Sequence, residues 1–130
     1  MSDVLADTSA WVAFLRGEKA AVQRIDPLLA EGRVAIAGAV YAEVLSGTAS
    51  RADFELLGRL LEGLEWLPEP ANLWERVAEA RFTLARRGFQ AAILDLIIAF
   101  CALEASHILL TRDRDFSRIQ TVLAFELELF

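Results

Sequence analysis

Val4-Leu5-Ala6-Asp7-Thr8-Ser9-Ala10-Trp11 is the stretch on which the reading of the whole chain turns. Three apolar residues end on an acid, and two hydroxyl residues lead into a helical pattern. In an open α/β sheet the carboxyl ends of the strands are where ligands and catalytic groups collect. Asp7 has no lysine or arginine beside it in sequence. An ionised carboxylate at such a position calls for a cation brought from elsewhere.

Working outward, Val4–Ala6 reads as a short buried strand, followed by a helix over 10–16 that Ser9 or Thr8 can cap and Gly17 closes. A second helix is expected over Lys19–Ala30, kinked or shortened by Pro27. Residues 33–37 alternate into a strand around Val34-Ala35-Ile36, and 40–45 form a short helix closed by Gly47. Ser50 caps a helix over Arg51–Glu62, with Asp53 in a box-like position and Gly63 at its end. Residues 65–67, before Pro68, make a weak third strand. Asn72 with Glu75 resembles a second capping box, opening a helix that runs to 87, with Gly88 after it. The run over 94–105 is apolar all round, which places that helix centrally, packed on several sides. Strands over 107–110 and 121–125, with a helical turn over 114–118 between them, complete the pattern.

Strands separated by helices imply right-handed crossovers and a parallel sheet covered on both faces. The expected architecture is a single three-layer α/β/α domain over residues 1–130, with a central parallel sheet of four to five strands. A length of 130 residues, 55% of them hydrophobic and 25% charged, suits one domain with one core. The single cysteine, Cys101, excludes an internal disulfide and a multi-cysteine zinc site, and its apolar surroundings point to an inert buried thiol. The N-terminus lacks the basic and apolar regions of a signal peptide. The longest apolar run, 96–103, is too short to span a bilayer. A cytoplasmic protein without a membrane partner is the expectation. The net charge of −6 runs against nucleic-acid binding, which usually needs a basic footprint. Acids converging on a bound cation would reverse the field locally.

Four acidic regions stand out from their surroundings. Asp7 ends the first strand. Glu43 lies within Val40-Tyr41-Ala42-Glu43-Val44-Leu45, and Asp95 is flanked by Ile93-Leu94 and Leu96-Ile97-Ile98. Asp113 and Asp115 follow the fourth strand in Leu110-Thr111-Arg112-Asp113-Arg114-Asp115-Phe116. Taken singly, Asp7 would serve as a helix cap, Glu43 and Asp95 as dipole-favoured residues near helix starts, and Asp113 and Asp115 as a solvated turn. Taken together, all four regions fall at strand carboxyl ends or adjoining helix starts, which share one edge in this architecture. Carboxylates gathered there raise one another's pKa, and hard oxygen ligands around Mg²⁺ or Mn²⁺ relieve that cost.

Other chemistries fit less well. A calcium loop starting at Asp113 would want Gly and Glu where Arg118 and Ala124 stand. There is no Gly-rich phosphate loop. The only histidine, His107, has no nucleophile at a recognisable elbow and reads as structural. Aspartyl-phosphate chemistry at Asp7 is the remaining alternative, but the only lysine is Lys19, far from the later strands.

Asp7-Thr8-Ser9-Ala10-Trp11, Ala42-Glu43-Val44-Leu45-Ser46-Gly47, Asp95-Leu96-Ile97-Ile98-Ala99 and Leu110 to Phe116 together resemble the PIN domain, closely the VapC-type toxin ribonucleases of toxin–antitoxin pairs. The resemblance spans essentially the whole chain. It implies a Mg²⁺- or Mn²⁺-dependent endoribonuclease in which Asp7 and Asp95 are the principal metal ligands. Glu43 would bind directly or through water, Asp113 would be the fourth acid, and Asp115 a contributor. Ser9 and Thr8 would orient the carboxylates. The resemblance further implies an RNA substrate, a homodimer and a VapB-type antitoxin partner. The junction before the glutamate is Ala37-Gly38-Ala39, where the family often carries a hydroxyl or amide residue. Trp11 and Phe14 fall at helical spacing and read as core, or else as lining of an antitoxin-facing groove. Arg16, Arg86, Arg87, Arg112 and Arg114 are the candidates for an RNA-docking groove. A PIN-like module without turnover, acting only through interactions, is the alternative function.

Overall fold

A computed structural model describes residues 3–130. The elements in chain order are β1 (Val4–Ala6), α1 (Thr8–Leu15), α2 (Lys19–Ala30), β2 (Val34–Ile36), α3 (Gly38–Ser46), α4 (Arg51–Glu62), β3 (Glu65–Trp66), α5 (Leu73–Arg86), α6 (Ile93–Ala105), β4 (Ile108–Thr111), α7 (Asp115–Ile119) and β5 (Glu126–Leu129). The five strands form one parallel sheet in the order β3-β2-β1-β4-β5, with helices packed on it to give three layers.

The central strands are short and apolar because both of their faces are covered. Every residue of β1 and β2 is buried, as are Leu109, Leu110 and Thr111 of β4. Register places Val4 beside Val34 and Ile108, and Ala6 beside Leu110. α6 buries Leu96, Ile98, Ala99, Phe100, Cys101 and Ala102, the central position that its all-apolar pattern requires. Cys101 is buried, and burial first, with the charge of Glu69 adding, pushes its thiol up to about 11, which keeps it unreactive. Trp11 is fully buried and meets Phe14 edge to face at 5.8 Å, so this pair belongs to the core. Pro27 sits inside α2 without ending it.

Three local expectations are corrected. Residues 121–125 are not a strand. Leu123 and Phe125 are buried as the alternation requires, but the N–H groups of Val122 and Leu123 donate back to the Ile119 carbonyl, so the backbone is still unwinding from α7. The fifth strand begins at Glu126, on the sheet edge, where Arg24 of α2 grips Glu128 through two hydrogen bonds. Asn72 does not cap α5 with its side chain. Its backbone is left-handed at φ 55°, away from the extended conformation a capping residue needs, and only its carbonyl engages the helix, accepting from the Arg76 N–H. The cap of α1 is Asp7 rather than Ser9 or Thr8, because Asp7 has the extended backbone and its Oδ1 accepts the Ala10 N–H at 2.9 Å.

Candidate functional site

The chain order of the strands decides where a site can form. From β1 the sheet grows one way through β2 and β3, and the other way through β4 and β5. The connections leaving β1 and β4 therefore part in opposite directions, opening a crevice at their carboxyl ends. Asp7 stands at the end of β1, while Thr111 ends β4 with Asp113 and Asp115 just beyond it. Glu43 comes from α3, which follows β2, and Asp95 from the first turn of α6.

Asp7 is 4% exposed and fully engaged on one oxygen. Oδ1 accepts from Ser9 Oγ at 2.7 Å and from the Ala10 N–H at 2.9 Å, and Oδ2 accepts from Thr111 Oγ1 at 2.6 Å. Each carboxylate oxygen carries two lone pairs, so these contacts fill Oδ1 and leave one lone pair on Oδ2. Thr8 turns the other way and donates to Glu43 Oε1 at 2.7 Å. This contact supplies from α1 the hydroxyl that Ala37-Gly38-Ala39 does not provide. Ser9 Oγ also lies 3.2 Å from Thr111 Oγ1 and accepts the Arg112 N–H at 3.0 Å. Thr111 Oγ1 in turn accepts the Asp113 N–H at 2.9 Å, and Asp113 Oδ1 accepts the Asp115 N–H at 2.9 Å. A chain of short contacts thus runs from Asp7 through Thr111 to the loop carrying Asp113.

The electrostatics of the crevice are one-sided. Burial first, then the charges of Asp113, Asp7, Glu43 and Asp115, push the Asp95 carboxyl up to about 6. Burial also raises Asp7, aided by the charge of Asp113 and opposed by the hydrogen bonds from Thr111, Ala10 and Ser9. Among the described residues no arginine, lysine or histidine forms an ion pair with any of these five acids. Their oxygens do not approach within 4.8 Å of one another in threes. Asp113 is half-buried and Asp115 exposed.

A donor set of hard carboxylate oxygens, with excess negative charge, one remaining lone pair on Asp7 Oδ2 and one oxygen of each of Glu43 and Asp113 not taken by the bonds described, fits a divalent cation such as Mg²⁺ or Mn²⁺. Thr111 is the contributor that sequence reasoning missed. Its signal was a lone hydroxyl closing the apolar run Leu109-Leu110, directly before Arg112-Asp113. A strand taken to end at Leu110 left it outside the sheet. Of the candidate RNA-docking arginines, Arg112 pairs with Glu18 at 2.6 Å and lies over the Phe130 ring, Arg86 lies over Phe82, and Arg87 donates to the Thr121 carbonyl.

Comparison with known proteins shows the family. The family model of the PIN domain matches residues 4–122. The VapC ribonuclease Mb1587 of Mycobacterium bovis and ribonuclease VapC11 of Mycobacterium tuberculosis are each 34% identical over 125 residues, covering 92% of this chain and 92% of the relative. The fold is shared with VapBC2 of Rickettsia felis, solved bound to a promoter DNA fragment, at a TM-score of 0.76, with 23% identity and 98% of both chains covered. It is also shared with VapBC-5 of Mycobacterium tuberculosis, at a TM-score of 0.68, with 24% identity and full coverage of both chains. By sequence and by fold, this chain belongs to the PIN-domain family, within its VapC ribonuclease branch.

Proposed function

We propose that residues 1–130 work as one PIN domain, a Mg²⁺- or Mn²⁺-dependent endoribonuclease that is the toxin of a type II toxin–antitoxin pair in the cytoplasm. The observation that carries this reading is the convergence of Asp7, Glu43, Asp113 and Asp115 on Asp95 at the switch point of the sheet, with no basic partner among the described residues. Membership in a family whose relatives are named VapC ribonucleases supports RNA as the substrate class.

Asp7, Asp95 and Asp113 would hold the cation, with Glu43 acting directly or through water. A divalent ion so held supplies Lewis acidity toward a phosphoryl oxygen and a bound water of lowered pKa. Ser9 and Thr111 fix Asp7 and leave one lone pair on its Oδ2 for the ion, and Thr8 holds Glu43 by Oε1, leaving Oε2 to work. Asp115 adds charge and braces Asp113 through its N–H. As the family resemblance implies, attack of water on phosphorus with departure of the 3′ oxygen would leave a 5′-phosphate and a 3′-hydroxyl. Arg112 and Arg114, beside Asp113, would meet flanking phosphates. Solved neighbours described as VapBC toxin–antitoxin complexes support a VapB-type antitoxin as partner, and a homodimer is the proposed state of this chain.

The test is incubation of the purified protein with cellular and structured RNA in Mg²⁺ or Mn²⁺, with and without chelator, alongside Asp95→Asn. Cleavage that needs the metal and is abolished by the substitution is the expected result. Cleavage that persists in chelator, or in Asp95→Asn, would remove the metal site from the reading. Binding of metal without cleavage of any RNA would leave the chain an interaction module.

A further inference from the structure

At the amino end of the sheet, opposite the acid cluster, Asp3, Glu65 and His107 bring one ligand atom each to within 4.8 Å of one another. They come from three places: the residue before β1, the start of β3, and the junction between α6 and β4. Asp3 and Asp7 are separated by the length of β1, about 13 Å at the usual rise per residue of a strand, so the two clusters cannot share an ion.

The histidine carries the argument beyond proximity. Its side chain is only 11% exposed, and both ring nitrogens face oxygens that accept. Nδ1 lies 2.8 Å from the Ala105 carbonyl, and Nε2 lies 3.1 Å from Glu65 Oε1. The carbonyl takes the Nδ1 hydrogen, which leaves the Nε2 lone pair of a neutral ring pointing at a carboxylate. That arrangement is favourable only with a positive charge on or beside Nε2. An imidazole oriented by a backbone carbonyl, with carboxylates around its other nitrogen, is the usual outer support of a transition-metal ligand. One carboxylate oxygen of Asp3 completes the trio, and Arg33 Nε, 3.7 Å from Asp3 Oδ1, is its present cationic neighbour.

We propose that Asp3, Glu65 and His107 form a second cation site, selective for Zn²⁺ or a cation of similar softness. One nitrogen and two carboxylate oxygens suit Zn²⁺ with a position left for water, whereas Mg²⁺ prefers oxygen throughout. Occupancy ties the starts of β1, β3 and β4 together and so stiffens the sheet from the end away from the acids. β3, a two-residue edge strand with both residues exposed, gains most.

The experiment uses the tag-free full chain in excess Mg²⁺, titrated with Zn²⁺ by calorimetry and followed by thermal denaturation, with Co²⁺ absorption reporting a nitrogen ligand. Wild type and Asp95→Asn should bind Zn²⁺ and gain thermal stability; His107→Ala and Glu65→Gln should lose both effects. Circular dichroism of the metal-free variants checks folding, and Glu65→Gln, on a largely exposed side chain, keeps the test available if His107→Ala does not fold. Zn²⁺ binding that survives both substitutions, or vanishes in Asp95→Asn, assigns the ion to the acid cluster and overturns the proposal. So does stabilisation that acidification reproduces and Zn²⁺ does not.

Discussion

Thr111 Oγ1 donates to Asp7 Oδ2 at 2.6 Å, across a separation of 104 residues in the chain. Both residues are buried, and they are the two buried polar or charged residues among those described. This contact joins the carboxyl ends of β1 and β4, and the same hydroxyl accepts the Asp113 N–H. One side chain thus sets the position of one proposed ligand and the loop of another.

Thr111→Val keeps the shape of the side chain and removes the hydroxyl. RNA cleavage should fall about 10–100-fold, with a raised Mg²⁺ requirement, as is usual when a group that orients a ligand is lost. Stability should fall by about 1–3 kcal/mol, because the Asp113 N–H loses its acceptor and Asp7 Oδ2 its donor. Thr111→Ser should recover most of both. A metal titration of cleavage beside a denaturant melt decides it; an unchanged metal requirement in Thr111→Val would show that the hydroxyl only packs.

The acid cluster makes the metal-free protein pH-sensitive in a definite direction. Asp95 is raised from 3.8 to about 6 and Asp7 is raised as well, so the folded state holds these protons more tightly than the unfolded chain. The contribution of Asp95 to stability is present in full below about pH 4 and is lost as pH rises through about 6, and that of Asp7 runs in the same direction. Without metal, Asp95→Asn should therefore raise the melting temperature at pH 7.5 by a few degrees and change it little at pH 4. Added Mg²⁺ should stabilise wild type at pH 7.5 far more than at pH 4. Equal effects of Mg²⁺ at both values would contradict the assignment.

Asp113 and Asp115 should separate in a cleavage assay. Asp113 is half-buried, tied to Thr111, and the first charge acting on Asp95, whereas Asp115 is exposed and the last of four. Asp113→Asn should reduce cleavage by at least about 100-fold, and Asp115→Asn by about tenfold or less, on the usual scale for a ligand against a neighbouring group. The reverse order would make Asp115 the fourth acid.

Thr8→Val tests the support of Glu43. Thr8 is partly buried and its donation to Glu43 Oε1 is the hydrogen bond that orients that carboxylate. Cleavage should drop several-fold with the melting temperature little changed, since Glu43 is only half-buried and its freed oxygen can turn to water. A loss of stability equal to the loss of activity would mean that the contact serves the fold alone.

Much of the fold was legible in the residues. Val4–Ala6, Val34–Ile36 and the apolar run of α6 could hardly be anything but buried elements, and Gly17, Gly47, Gly63 and Gly88 punctuate the helices where the pattern stops. Boundaries failed where backbone hydrogen bonding overrode side-chain pattern. Residues 121–125 have strand alternation but spend their donors on the preceding helical turn, and Asn72 has the right side chain on the wrong backbone.

The acids themselves were visible too, because a carboxylate inside an apolar run is conspicuous on energetic grounds alone. Their company was not. That Asp95 feels Asp113, Asp7, Glu43 and Asp115 depends on the order β3-β2-β1-β4-β5, which opens the crevice between β1 and β4. That Thr8 serves Glu43 while Ser9 serves Asp7 depends on the turn of a helix whose cap is Asp7. Composition and periodicity are properties of neighbours in the chain, and they determined which segments bury and which residues are costly to bury. Contacts across 35 or 104 residues are set by packing of whole elements, and only the tertiary structure could decide them.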